Sequence, residues 1–426
     1  MIKILKSDEI DLSRASLSPA PAAVVAAVAE IIDNVKKRGD AALREYTERF
    51  DGCVLESFEL PRSALDEALS ALNAVDAEFI GVMERAAENI RDFHRHQIRQ
   101  GYELSRDGAV LGQMVLPLAR AGIYVPGGTA SYPSTVLMNC IPAKLAGVGE
   151  IVIATPPAKD GRIDPGILAA AKIAGADRVF TIGGAQAIAA LAFGTESAPR
   201  VDKITGPGNA YVAEAKRHVF GIVGIDMIAG PSDVLVIADE HADPALVAAD
   251  MLSQCEHGAD SPAILVTDSG TLAEKVRAEI EAQLAMLPRG KIAREAVDSH
   301  GKIIIAESLE QAFDVANAIA PEHLEILLSN PRSYLSKVRN AGSVFLGKFT
   351  PEALCDYYAG PNHTLPTSGT ARFSSPLSVD DFVKKTSYTF YTEQALRRDA
   401  DDVVRFAEKE GLSAHAESIK KRRNNR

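Results

Sequence analysis

Gln254, His257, Asp356 and His415, all in the second half of the chain, are side-chain types that hold a divalent metal ion. Two imidazoles, a carboxylate and an amide oxygen make a nitrogen and oxygen donor set that zinc accepts. Gln254 and His257 stand three positions apart in Leu252-Ser253-Gln254-Cys255-Glu256-His257-Gly258, a spacing that puts both on one face if the segment is helical. Glu322 and His323 are a second pair, adjacent after Pro321 and at the start of an apolar run. A carboxylate beside an imidazole offers two proton acceptors with different resting pKa values. General-base work by such a group contributes roughly 10²–10⁴-fold in rate; the same pair also suits a solvated polar turn. His363 lies in a loop bounded by glycine and prolines, Gly360-Pro361-Asn362-His363-Thr364-Leu365-Pro366, where it either faces a ligand or props the loop. Ser232 sits in the tight turn Ala229-Gly230-Pro231-Ser232-Asp233 at a strand mouth.

These groups need a scaffold, and the hydrophobic pattern supplies one. Residues 21–50 read as an amphipathic helix with Val24, Val28, Ile31, Ile32 and Val35 on one stripe, and 62–97 also read as helical. Residues 110–116 are strand-like, and a further strand ends in Pro126-Gly127-Gly128. From 150 to 240 short apolar runs alternate with helices, the run at 234–237 closing the set. After 240 the alternation resumes through 263–266, 303–305, 324–328 and 344–346. Such alternation predicts an α/β fold with two parallel sheets, the second completed by the N-terminal segment, followed by a mainly helical tail over 380–420. Gly183-Gly184 and Gly206-Pro207-Gly208 each follow a strand and open a helix. Amides at such a start suit phosphate, but Tyr211 replaces the third glycine of the dinucleotide fingerprint. Ordinary strand-to-helix turn chemistry accounts for these turns equally well.

The bulk properties exclude several classes. With 426 residues the chain is long enough for two or three domains, and 46% hydrophobic with 24% charged residues is a soluble globular composition. A net charge of −11 argues against nucleic acid as partner. The basic run Lys420-Lys421-Arg422-Arg423 reads as a helix C-terminus followed by a frayed tail. Four cysteines, Cys53, Cys140, Cys255 and Cys355, are no disulfide framework and fit a reducing compartment. Cys255 and Cys355 neighbour proposed ligands, yet a helical Cys255 points away from the face shared by Gln254 and His257. No secretory signal and no apolar run of roughly 18–20 residues is present, so a cytoplasmic protein without a membrane span is expected. Neither a nucleophile elbow nor a P-loop lysine occurs.

Six segments in one order resemble the histidinol dehydrogenase family. They are the Gly183–Gly194 stretch GGAQAIAALAFG, Gly206-Pro207-Gly208-Asn209-Ala210, Ala229-Gly230-Pro231-Ser232, the Gln254–His257 segment, Ala320-Pro321-Glu322-His323-Leu324, and the His363 loop. The resemblance implies zinc on Gln254, His257, Asp356 and His415, with Glu322 activating water and His323 moving protons. It implies NAD contacts at Tyr124, Gln186 and Asn209. Substrate contacts fall on Ser232, His363 and Glu410, with His323 and the zinc ligands close by. The implied reaction is oxidation of L-histidinol to L-histidine through the aldehyde, using two NAD⁺ and water. The implied assembly is a homodimer with exchanged C-terminal segments, His415 reaching the partner's site. The fold expected is two incomplete Rossmann-like domains: an arm at 1–24, a discontinuous first domain at 25–123 plus 240–378, an NAD domain at 124–239, and a helical tail at 379–426. Three other readings stay open: a paralogous zinc and NAD dehydrogenase for another small alcohol, a zinc hydrolase with Glu322 as base, and a metal-binding scaffold without catalysis.

Overall fold

The computed structural model describes residues 1–10, 20–127 and 131–424, so Gly128 of the expected turn and residues 11–19 of the expected arm lie outside it. The chain divides into two compact units, Met1–Gln97 with Leu118–Phe382, and Ile98–Pro117 with Val383–Arg426.

The larger unit is built on two all-parallel sheets. In the five-stranded sheet Arg120–Tyr124 is central, with Glu150–Thr155 and Arg178–Thr181 outward on one side and Lys203–Thr205 and Gly224–Ile225 on the other. The strand order therefore reverses between Arg120–Tyr124 and Lys203–Thr205, the kind of place where open α/β sheets take ligands. Successive side chains alternate between the sheet's faces. Ile123, Ile151, Ile153 and Val179 enter one core with Ile141 and Leu168; Tyr124, Val152, Ala154 and Phe180 enter another with Val28 and Ile188. These near-continuous apolar runs are what a sheet buried on both faces demands.

The six-stranded sheet repeats that order around Val234–Ala238, flanked by Ala263–Thr267, Lys302–Ile305 and Lys3–Lys6 on one side and by His323–Leu327 and Ser343–Leu346 on the other. The N-terminal strand thus completes this sheet as expected. The run at 234–237 belongs here, however, and not to the preceding set. Its partners are Ala263–Thr267 and His323–Leu327; local alternation does not say which sheet a strand joins.

Two expected helices are each broken. Ala22–Arg38 and Asp40–Asp51 are parted by Gly39 at φ 53 and ψ −130, and Ser63–Val75 and Ala77–Arg95 by Asp76, whose side chain caps the second helix through the Phe79 N–H at 3.0 Å. No helix among the described residues is long and apolar enough to cross a membrane.

The smaller unit is an antiparallel sheet of Tyr102–Arg106, Ala109–Pro117 and Val383–Tyr391, followed by helices Glu393–Lys409 and Ser413–Asn424. The tail is therefore not helical throughout. After the 3-10 turn Val379–Phe382, the nine residues Val383–Tyr391 pair along the whole of Ala109–Pro117, a non-local pairing that periodicity does not reveal. Within this unit Val404, Ala407 and Ala416 pack the two helices together. Tyr102, Leu104, Phe390 and Phe406 stay exposed.

Candidate active site

Strand register decides where the acid–imidazole pair stands. His323 is level with Val234 and Ser343, so Glu322 and His323 lie at the amino edge of the six-stranded sheet beside Asp233. The chain enters this strand through Ala320, whose φ of 56 is rare for a residue with a Cβ; such strain costs on the order of 1–2 kcal/mol and gathers at functional sites. Asp233 clasps the pair. Its Oδ1 accepts from the Glu322 N–H at 2.9 Å, its own N–H donates to Glu322 Oε2 at 3.1 Å, and its carbonyl accepts from the His323 N–H at 3.2 Å. The same carbonyl lies 2.9 Å from His323 Nδ1. A carbonyl only accepts, so Nδ1 carries the proton and Nε2 keeps its lone pair.

That Nε2 is buried without a hydrogen-bond partner. It lies 3.7 Å from Glu352 Oε1 and 3.9 Å from Asp356 Oδ1. Desolvation drives the His323 pKa down to about 3, so the ring is neutral at physiological pH. The carboxyls move the other way. Burial first, then the charges of Asp233, Glu352 and Asp356, push Glu322 well above the usual carboxylate range. Glu352 is raised well above it by burial and then by Asp356, Asp250 and Asp233, and burial lifts Asp356 to about 7.

Among the described residues, the ion pairs of Glu322, Glu352 and Asp356 are with His323 alone, with no lysine or arginine. Donor atoms of His323, Glu352 and Asp356 all lie within 4.8 Å of one another. A divalent cation fits this set: it supplies the counter-charge missing from the side chains, and it would draw the carboxyls back toward their ionised forms.

Glu352 was not among the residues singled out from sequence. Its signal was available, because Glu352 and Asp356 stand four apart, one helical turn. They lie on the short helix Glu352–Leu354 and the π-helical turn Cys355–Ala359 that follows it; π turns recur at functional sites. The carbonyl of Asp356 also lies 3.0 Å from His363 Nδ1, and His363 Nε2 is 3.4 Å from Thr135 Oγ1. Desolvation takes His363 down to about 4.

Gln254 closes the helix Pro244–Cys255 and is fully buried. In the amide orientation that satisfies both ends, its nitrogen donates to the Glu352 carboxylate at 2.8 and 3.1 Å and its oxygen accepts from the Asp233 N–H at 3.1 Å. His257 follows one turn on, its N–H donating to the Gln254 carbonyl at 3.2 Å, and opens to the cavity, whose walls lower its pKa by desolvation. Gln254 thus touches Glu352, which lines the cavity, while His257 lines the cavity itself. Cys255 packs into the apolar core, and burial raises its thiol to about 12.

A cavity of about 1770 Å³ brings together Tyr124, Gln186, Asn209, Ser232, His257, Glu322, His323, Asp356 and His363. Tyr124 is buried and its hydroxyl accepts from the Gly184 N–H at 3.0 Å. Asn209 Oδ1 caps the helix Ala210–Val219 through the Tyr211 and Val212 amides at 3.0 and 3.2 Å. The Gly206 N–H is held by Asp226 at 2.8 Å. At these turns the amides of Gly184, Gly206, Tyr211 and Val212 are thus already engaged within the fold. Glu410 and His415 belong to the smaller unit, where both are exposed: Glu410 just after Glu393–Lys409, His415 in the first turn of Ser413–Asn424.

Known proteins share this architecture. The family model described as histidinol dehydrogenase matches residues 15–423. A histidinol dehydrogenase of Clostridium acetobutylicum is 54% identical over 94% of this chain and 93% of its own length, and one of Bacillus cereus is 55% identical over 92% and 91%. The crystal structure of histidinol dehydrogenase from Elizabethkingia anophelis superposes with a TM-score of 0.92 at 38% identity, covering 99% of this chain and 98% of that one. A match of that extent in both sequence and fold means that the chain belongs to the histidinol dehydrogenase family of oxidoreductases.

Proposed function

We propose that this oxidoreductase carries L-histidinol through L-histidinal to L-histidine, consuming two NAD⁺ and one water. In the first step the alcohol carbon gives a hydride to NAD⁺ and the hydroxyl gives its proton to His323 Nε2. Water then adds to the aldehyde carbon. His323 passes the first proton to solvent, and the resulting hydrate then gives a second hydride to a second NAD⁺ and a second proton to the same nitrogen. The carboxylic acid so formed releases its remaining proton to solvent and leaves as the carboxylate. The observation that carries this reading is His323 itself. It is a neutral imidazole fixed by the Asp233 carbonyl at 2.9 Å, its bare Nε2 turned toward the carboxyls that line the cavity. Glu322, 3.7 Å from the same ring, is the group to activate the water once it is ionised.

Zinc would be held by Gln254, His257, Asp356 and the partner's His415, and when bound it supplies a Lewis-acid anchor for the imidazole and amine of histidinol. Ser232, His363 and Glu410 orient the substrate, with Glu410 answering its cationic groups. Tyr124, Gln186 and Asn209 face NAD at the carboxyl edge of the five-stranded sheet. The active form is a homodimer with exchanged tails. The exposed apolar side chains of the smaller unit, among them Phe390 at 59% and Phe406 at 70%, support a partner there.

The test is stoichiometry: protein loaded with zinc, given histidinol and excess NAD⁺, should form two NADH per histidinol consumed. One NADH would indicate a paralogous dehydrogenase that stops at the aldehyde, and none would leave the hydrolase reading.

A further inference from the structure

Beneath the Gly206 turn lies an ion pair with no part in the reaction as proposed. Lys216, on the helix Ala210–Val219, reaches back under the turn that starts its own helix. Its Nζ donates to the Gly206 carbonyl at 3.0 Å and pairs with Asp226, the two side chains only 2% and 1% exposed. Asp226 follows the edge strand Gly224–Ile225, and its backbone N–H donates to the Ile204 carbonyl at 3.2 Å. Its Oδ2 accepts from the Gly206 N–H at 2.8 Å, and its Oδ1 from the Met227 N–H at 2.6 Å. Both polar groups of Gly206 are therefore bound by the two members of one buried pair. The residue itself sits at φ 111, and a Cβ there would collide with the Tyr124 carbonyl.

Burying two charges costs several kcal/mol per ion, and apolar residues of similar volume often serve stability as well or better. What an apolar pair cannot do is grip one residue by both its N–H and its C=O. The place gripped is the point where the strand order of the five-stranded sheet reverses. Asn209 is three residues on, exposed on the cavity wall, with Oδ1 committed to the helix start.

We propose that Lys216 and Asp226 are positioning residues for the dinucleotide: the pair sets the height of the Gly206–Asn209 turn against the cofactor, and it acts on NAD⁺ binding without touching histidinol. This rests on the reading of Asn209 and Tyr124 as NAD contacts. Lys216 is not on the cavity wall, Asp226 borders it with a side chain only 1% exposed, and the acid–imidazole pair is on the other sheet.

The experiment compares four variants of the zinc-loaded protein. Lys216→Met leaves Asp226 as an uncompensated buried charge. Lys216→Met/Asp226→Asn removes both charges and keeps an acceptor for the Gly206 N–H, so it guards against loss of folding in the single variant. Asp226→Leu with Lys216→Met removes the grip altogether. Asn209→Ala reports on the cofactor site directly. For the pair variants the KM for NAD⁺ should rise roughly tenfold, one hydrogen-bond-sized loss, the Asn-containing double least. The KM for histidinol and the zinc content should hold, and titration of NAD⁺ against the resting protein should show the same weakening. If Asn209→Ala raises the KM for NAD⁺ and the pair variants do not, the inference is overturned while the cofactor site stands. If none of the four moves it, the reading of the cofactor site falls and takes the inference with it. If the pair variants lower thermal stability and turnover with both KM values unchanged, the pair is structural only and the inference is again overturned.

Discussion

His323 shows how a single side chain acquires a role from its neighbours. Its tautomer is set by the Asp233 carbonyl and its neutrality by burial, so a substitution should separate base from ligand. His257→Asn should lose zinc and most turnover. His323→Asn should keep zinc, measured by metal analysis after dialysis, and lose roughly 10²–10⁴-fold in turnover. Loss of zinc from His323→Asn would make His323 a ligand together with Glu352 and Asp356, the three donors that the structure clusters.

A second residue-scale prediction concerns Glu325, which is fully buried, with Oε1 accepting from the Glu352 N–H at 2.9 Å and its carboxyl facing that of Asp250. Burial first and Asp250 second push it up from 4.5 to about 9. The folded protein therefore holds a proton that the unfolded chain releases. This stabilisation is complete below the unfolded value and is lost as pH rises through about 9. Glu325→Gln can still accept from Glu352 and can donate to Asp250. Its melting temperature should fall less between pH 6 and 9 than that of the parent, and an unchanged alkaline loss would exclude Glu325 as the titrating group.

At the scale of elements, breaks and turns matter more than the helices they interrupt. Gly39 separates two amphipathic helices at a backbone conformation that L side chains rarely adopt, and a Cβ there would press on the Glu196 carboxylate, which accepts from the Asp40 N–H at 2.8 Å. Gly39→Ala should therefore destabilise the fold by roughly 1–3 kcal/mol, read from the urea midpoint, with both KM values unchanged because Gly39 is not on the cavity wall. The acid–imidazole strand illustrates the same rule. Its residues are held by the turn before a neighbouring strand, through Asp233, so the chemistry depends on the register of His323–Leu327 against Val234–Ala238.

For the whole molecule the question is whether His415 serves its own chain or a second copy. Complementation answers it. Mixing His415→Asn protein with His323→Asn protein, each inactive alone, should restore activity after subunit exchange if the tails are exchanged. In the mixed dimer one site then has an intact His323 and the partner's intact His415. If each tail serves its own chain, every site in the mixture lacks one of the two and activity stays lost. Sedimentation at several concentrations should show the dimer that this requires.

The sequence by itself determined the fold class, because the switch between short apolar runs and helical periodicity forces two parallel sheets with helices on both faces. It also marked most of the cavity: Ser232, His257, Glu322, His323, Asp356 and His363 by residue type and by the turns and segments that hold them, and Tyr124, Gln186 and Asn209 through the family resemblance. Non-local pairing was out of its reach. Only the tertiary structure assigned residues 234–238 to the second sheet, made Val383–Tyr391 of the tail a strand, and joined Gln254 to Glu352. Only it gave Asp233, Glu352 and the Lys216–Asp226 pair their partners. The reason is physical: the roles of these groups come from contacts with residues 10 to nearly 100 positions away, and local pattern carries no record of which distant segment folding will bring alongside.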